Sequence, residues 1–153
     1  MNGQPVGLGR ASRICDTTDE RRDLRDSVAK LVGGYGRSYF RDVVATGQRA
    51  DALWADMGAA GFLGVHLPEE YGGGGGGLAD LAVVIEEMAG QGCPMFMIVS
   101  SPAIAGSVLS AHGTPEQKQR YLPGIADGTF RMAFAITEPD AGSNTHKITT
   151  TAH

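Results

Sequence analysis

The segment Phe134-Ala-Ile-Thr-Glu-Pro-Asp-Ala-Gly-Ser143 concentrates the chemistry-bearing residues of this 153-residue chain. Arg131 to Thr137 alternates larger apolar and smaller residues, with Met132, Phe134 and Ile136 on one face and Ala133, Ala135 and Thr137 on the other. That is the pattern of a half-buried strand. Pro139 has no N–H to give a sheet, so regular pairing is expected to stop at Glu138. Asp140-Ala-Gly-Ser143 is turn chemistry, and Gly142 lets the main chain approach a ligand more closely than a residue with a Cβ would. Strand amides and the Thr137 hydroxyl can match the alternating donors and acceptors on the pyrimidine edge of a flavin. Glycine amides and the Ser143 hydroxyl suit its pyrophosphate. The same residue types also build an ordinary strand and turn, and spacing alone leaves both readings open.

The run from Phe134 to Ser143 resembles the flavin-binding signature of the acyl-CoA dehydrogenases. Three more stretches fit the family's order: Gly64-Val-His-Leu-Pro-Glu-Glu-Tyr-Gly-Gly73, Gly113-Thr-Pro-Glu-Gln-Lys-Gln-Arg-Tyr-Leu-Pro123 and Gly128-Thr-Phe-Arg-Met132. The resemblance covers roughly residues 18 to 152. It implies a mainly α chain, an up-and-down bundle-like helical domain over residues 17–128, followed over 129–153 by the opening strand of a β domain. Carried over by position, Phe134, Ala135, Ile136 and Thr137 face FAD, and Gly142 and Ser143 lie near its pyrophosphate and the thioester substrate. Phe96, Met97 and Ile104 are nominated for the acyl-chain pocket, although plain core packing accounts for them equally well. Asn144 stands where the family usually has Asp, which removes a turn-capping charge.

The resemblance implies α,β-dehydrogenation of acyl-CoA thioesters, with electrons passing to an electron-transfer flavoprotein or another acceptor. The catalytic base is expected from a C-terminal region outside this chain, so Glu138 is not assigned that role and the 153 residues alone are expected to be inactive. Two alternatives remain: a non-catalytic helical subunit that pairs in a homo- or hetero-oligomer, and a fragment of a related flavin oxidase or monooxygenase.

The elements that must position the signature are helical. Residues 1–16 are rich in Gly, Pro and Ser and read as a loose tail. Thr17-Thr-Asp-Glu20 fits a capping box, followed by the stripe Leu24, Val28, Leu31 and Val32, ended by Gly33-Gly34. The mixed run Asp19–Asp26 reads as a solvated face. A second helix is expected around Leu53, Trp54, Met57 and Ala60, closed by Gly61, with Trp54 in the core. The six glycines 72–77 read as a flexible surface connection, since no strand precedes them as a dinucleotide fingerprint requires. Leu78 to Ala89 carries the strongest apolar stripe, leaving only Asp80, Glu86 and Glu87 for water. Residues 88–111 lack charge, but Gly, Pro and the Ser100-Ser-Pro102 break argue for a split buried helix pair rather than a membrane span, with Ser101 capping a helix at Pro102. Ser100 and Ser101 have no hydrolase partners. Thr114-Pro-Glu-Gln117 opens the last helix with a capping box, and Tyr121, Leu122 and Ile125 pack it.

Composition bounds the remaining classes. The net charge of −4 gives no electrostatic reason to expect nucleic acid, and 42% hydrophobic residues suffice for a core. Cys15 and Cys93 are far apart, and no secretion signal is evident, which suggests free thiols in the cytoplasm. His66, His112, His146 and His153 are too dispersed to suggest a metal site.

Overall fold

The computed structural model describes residues 18–151. The expected tail 1–16, Thr17, Cys15 and His153 lie outside the described residues. Among the described residues six α-helices follow in order: α1 Asp19–Gly33, α2 Gly36–Ala45, α3 Asp51–Ala59, α4 Leu78–Gly90, α5 Ser107–His112 and α6 Pro115–Ala126. A π-helical segment, Val99–Gly106, runs directly into α5. No helix among the described residues is long and apolar enough to cross a membrane.

Two apolar clusters hold the helices together. Val28 and Val32 of α1 meet Leu53, Trp54 and Met57 of α3 and Leu81, Val84 and Met88 of α4. A smaller cluster joins Leu67 to Leu122, Ile125 and Ala126 of α6. Gly58 permits the close approach of α3 to the end of α6, because a Cβ there would stand 2.0 Å from the Asp127 carbonyl oxygen.

The charged run at the start of α1 is only partly a solvated face. Arg25 is 2% exposed, and its guanidinium donates to Glu87 Oε2 at 3.0 Å and to Glu86 Oε2 at 2.6 Å. Glu87, expected to face water, is 4% exposed and belongs to the α1–α4 contact. Arg21 Nε donates to Asp80 Oδ1 at 2.8 Å, and Asp80 reaches back to the Gly77 N–H at 2.7 Å. The Arg21 and Gly77 donors hold the Asp80 carboxyl below its ordinary range. Periodicity alone missed these pairs because each arginine presents an apolar stem that lets its head reach a carboxylate on a neighbouring helix.

Other expectations change locally. Thr18, not Thr17, caps α1, its hydroxyl accepting from the Arg21 N–H at 3.3 Å. Helix α2 was not foreseen, and none of its residues is fully buried. The glycine run is a laced turn rather than a free connection: the N–H groups of Gly74, Gly75 and Gly76 donate to the carbonyls of Gly64, Leu67 and Val65. A side chain at Gly73 would collide with Leu67, so glycine here serves close packing. Ser101 does not cap a helix, because Pro102 lies within one. Pro102 cannot donate a backbone hydrogen bond, and the wider π-helical turn accommodates the break. His66 Nε2 lies 3.0 Å from the Pro102 carbonyl oxygen and donates to it. Burial depresses the His66 pKa, outweighing the opposite effect of that bond. The capping box of α6 forms as expected, with the Thr114 hydroxyl accepting from Gln117 N–H and Gln117 Oε1 accepting from Thr114 N–H.

Truncating Arg25→Ala leaves Glu87 buried without this partner and is expected to destabilise the chain by roughly 3–5 kcal/mol. Replacing the pair together, Arg25→Met with Glu87→Leu, should recover most of that loss in a urea unfolding titration. Equal destabilisation by the single and double variants would contradict the assignment.

Candidate functional site

Helices α3 and α6 and the π-helical segment deliver the signature to the surface by clamping the residues before it. The Trp54 indole N–H donates to the Gly128 carbonyl at 2.8 Å. The Phe130 N–H donates to the Gly124 carbonyl at 2.7 Å, and its ring meets Tyr121 edge to face with centroids 6.0 Å apart. The Arg131 guanidinium lies 5.0 Å from the Trp54 ring centroid and donates to Asp51 Oδ1 at 2.6 Å. The final hold is at Met132, whose N–H donates to Ser101 Oγ at 3.0 Å. Ser101 itself is fully buried.

Beyond that hold the chain leaves the helical body. The expected strand over 131–137 does not form. A strand needs a paired neighbour to satisfy its ladder, and the described residues offer only one isolated bridge, Glu138 to Ala141. The backbone amides of residues 133–137 make no hydrogen bond to any described residue. Phe134 is 49% exposed and Ile136 41%, with Ala135 and Thr137 exposed between and beside them. These are donors held at the surface with no internal partner.

The turn forms two residues earlier than expected, across Glu138–Ala141 rather than Asp140–Ser143. The Glu138 N–H donates to the Ala141 carbonyl at 2.9 Å and the Ala141 N–H to the Glu138 carbonyl at 3.2 Å, with Ala141 buried. Gly142 and Ser143 follow in the open, and a Cβ at Gly142 would meet nothing within 4 Å. The Glu138 carboxylate accepts from the N–H groups of Thr149 and Thr150 at 3.0 and 2.7 Å, and from both hydroxyls. The Thr150 hydroxyl, with the two amides, pulls its pKa from 4.5 to about 2. A carboxylate held so strongly in its charged form is a poor proton acceptor.

The nominated acyl-chain residues separate. Phe96 and Met97 line an apolar groove of about 650 Å³ with Phe40 and Val44 of α2, Trp54 of α3 and Met95. Phe96 is 77% exposed there, so it is a surface residue rather than plain core. Arg49, Asp51 and Arg131 add charge to the groove. Ile104 is half-buried on the π-helical segment and does not line it. Sequence reasoning missed Arg131 and Ser101 as holders of the signature. Arg131 was read as part of a strand, and no local pattern marks a serine that binds a backbone 31 residues away.

The family profile described as Acyl-CoA dehydrogenase, N-terminal domain, matches residues 18–129. The chain belongs to the acyl-CoA dehydrogenase family. It is 56% identical over 135 residues to the acyl-CoA dehydrogenase FadE12 of Mycobacterium tuberculosis, an alignment covering 88% of this chain and 35% of that protein. The acyl-CoA dehydrogenase structure from Geobacillus kaustophilus superposes with a TM-score of 0.78 at 31% identity, covering 87% of this chain and 35% of that one. An acyl-CoA dehydrogenase of Bacillus anthracis, solved in complex with FAD, superposes with a TM-score of 0.75 at 26% identity, over 87% of this chain and 23% of that one. The chain thus spans about a third of the length of the FadE12 relatives. The helical architecture expected for the family's N-terminal domain is the one observed.

The Glu138 clasp gives a pH prediction. Its folded-state pKa is depressed, so its contribution is fully present above the ordinary value of 4.5 and is lost as pH falls through about 2. An NMR titration should show the Thr150 amide resonance moving with a midpoint well below 4.5. A midpoint at or above the ordinary glutamate value would contradict the clasp.

Proposed function

We propose that this chain is the part of a flavin-dependent acyl-CoA dehydrogenase that lays the 134–143 signature against FAD and an acyl-CoA thioester. The observation that carries the reading is the row of amides at 133–137 that have no hydrogen-bond partner among the described residues, set on a clamped base and followed by the open Gly142 and Ser143. Their donor chemistry fits the group: main-chain N–H groups can meet the oxygens and nitrogens of the flavin ring, where negative charge develops on reduction. Phe134, Ala135, Ile136 and Thr137 would face the ring, with the Thr137 hydroxyl as one polar contact. Gly142 and Ser143 would lie at the pyrophosphate and thioester, the glycine admitting close approach and the serine donating a hydrogen bond.

When bound, FAD supplies the acceptor for a hydride leaving the β-carbon of the thioester. What these residues contribute is placement and charge stabilisation. Removal of the α-proton is assigned, by the family resemblance, to a carboxylate that is not among the residues named here. Phe96 and Met97, exposed on their apolar groove, would contact the acyl chain, and Ile104 would take part from the neighbouring π-helical segment. An electron-transfer flavoprotein or another acceptor would reoxidise the cofactor. The buried Cys93 thiol suits a cytoplasmic setting, and association into homo- or hetero-oligomers would cover the exposed apolar residues.

Titrating FAD with the purified chain tests the proposal. Saturable quenching of flavin fluorescence is expected. Ser143→Ala should weaken binding about tenfold or more as a charge-assisted bond is lost, and Thr137→Val about fivefold. No binding by the wild-type chain, or equal affinity across the three proteins, would overturn the reading. Acyl-CoA turnover by this chain with an artificial electron acceptor would contradict the placement of the base outside it.

A further inference from the structure

We propose that Ser101 is a positioning residue that sets the register of the flavin-facing segment. The inference rests on the functional reading above but extends to a residue that reading does not include. Three observations carry it. Ser101 is fully buried, and its hydroxyl oxygen accepts the Met132 N–H at 3.0 Å. This is the last hydrogen bond from the helical body before the unpartnered amides of 133–137. The serine also sits in the π-helical segment beside Pro102, whose carbonyl is gripped from the opposite side of the sequence by His66. The hydroxyl is therefore presented from an anchored turn rather than from a mobile loop.

The direction of one amide matters for its neighbours. Along an extended backbone successive N–H groups point to alternate sides, so a shift of one residue reverses every donor. With the Met132 N–H turned inward to Ser101, the amides of Ala133, Ala135 and Thr137 are directed away from the helical body once the segment is extended against a ligand. A slip by one residue would turn those three inward and present the amides of Phe134 and Ile136 instead. The upstream contacts at Gly128, Phe130 and Arg131 hold the segment to the body. Among them, the Phe130 N–H bond to the Gly124 carbonyl shares this parity two residues earlier, and the Ser101 bond holds the amide that adjoins the free segment.

The test compares wild type with Ser101→Ala, Ser101→Cys and, as a destabilised control in the α1 core away from the segment, Val28→Ala. Amide hydrogen exchange read residue by residue should accelerate about fivefold or more at Met132 in S101A, the loss of one net hydrogen bond. The change should spread into 133–137, while α1 and α4 exchange as in wild type. S101C keeps the volume but offers only a weak acceptor and should fall between the two. FAD affinity should drop in the same order, and V28A should not reproduce the local pattern. If S101A fails to fold, S101C alone decides by the same exchange comparison. Unchanged exchange at Met132, or an effect in the serine variants spread evenly as in V28A, would overturn the proposal. Absence of FAD binding by the wild-type chain would defeat the functional reading, while the exchange data would still decide whether Ser101 fixes the segment.

Discussion

The seating of residues 127–132 on the helical body is the constraint on which the candidate site depends. Trp54 is the centre of it. Its indole is buried in the larger apolar cluster, its N–H holds the Gly128 carbonyl, and its face receives the Arg131 guanidinium. A buried indole must satisfy its N–H, and this one does so on the segment that leads to the signature. Core packing and presentation of the site are thereby made by one side chain, so α3 cannot shift without moving residues 128–131.

The rest of the helical body is arranged to keep that seat rigid. The Arg25 pairs lock α1 against α4, and the first cluster ties both to α3. Close contact between Gly58 and Asp127 brings the end of α6 onto α3, where the seat begins. The glycine turn folds back on residues 64–67, which in turn pack on α6 through Leu67. The polar exit and the apolar groove share a border, since Arg131 and Trp54 belong to both the seat and the groove wall. A ligand with a long apolar portion and a polar head would therefore meet both surfaces at one place.

The helices with strong stripes and caps were legible from the sequence because their signals are local. The Thr114 box and the α4 stripe depend on residues within a few positions of each other, and so does the turn at 138–141, expected two residues later. What escaped was set by distant contacts. The α2 helix has a weakly buried face that only neighbouring helices define, and Glu87 is drawn inside by an arginine 62 residues away. The strand reading of 131–137 took alternation at face value, while a strand also needs a partner, and none pairs with it among the described residues. The groove residues Phe96 and Met97 were legible as apolar residues in an uncharged stretch, but their place on an open groove came only from folding.

The central claim is that the clamped arm presents its free amides to a flavin, and residue-level mapping tests it most directly. In an N–H correlation NMR titration of the isotopically labelled chain with FAD, the account predicts shift changes centred on residues 133–137, Gly142 and Ser143. The helical body α1–α4 should remain still. Changes centred on the glycine turn at 72–77, or a titration that leaves 133–143 unmoved, would contradict it.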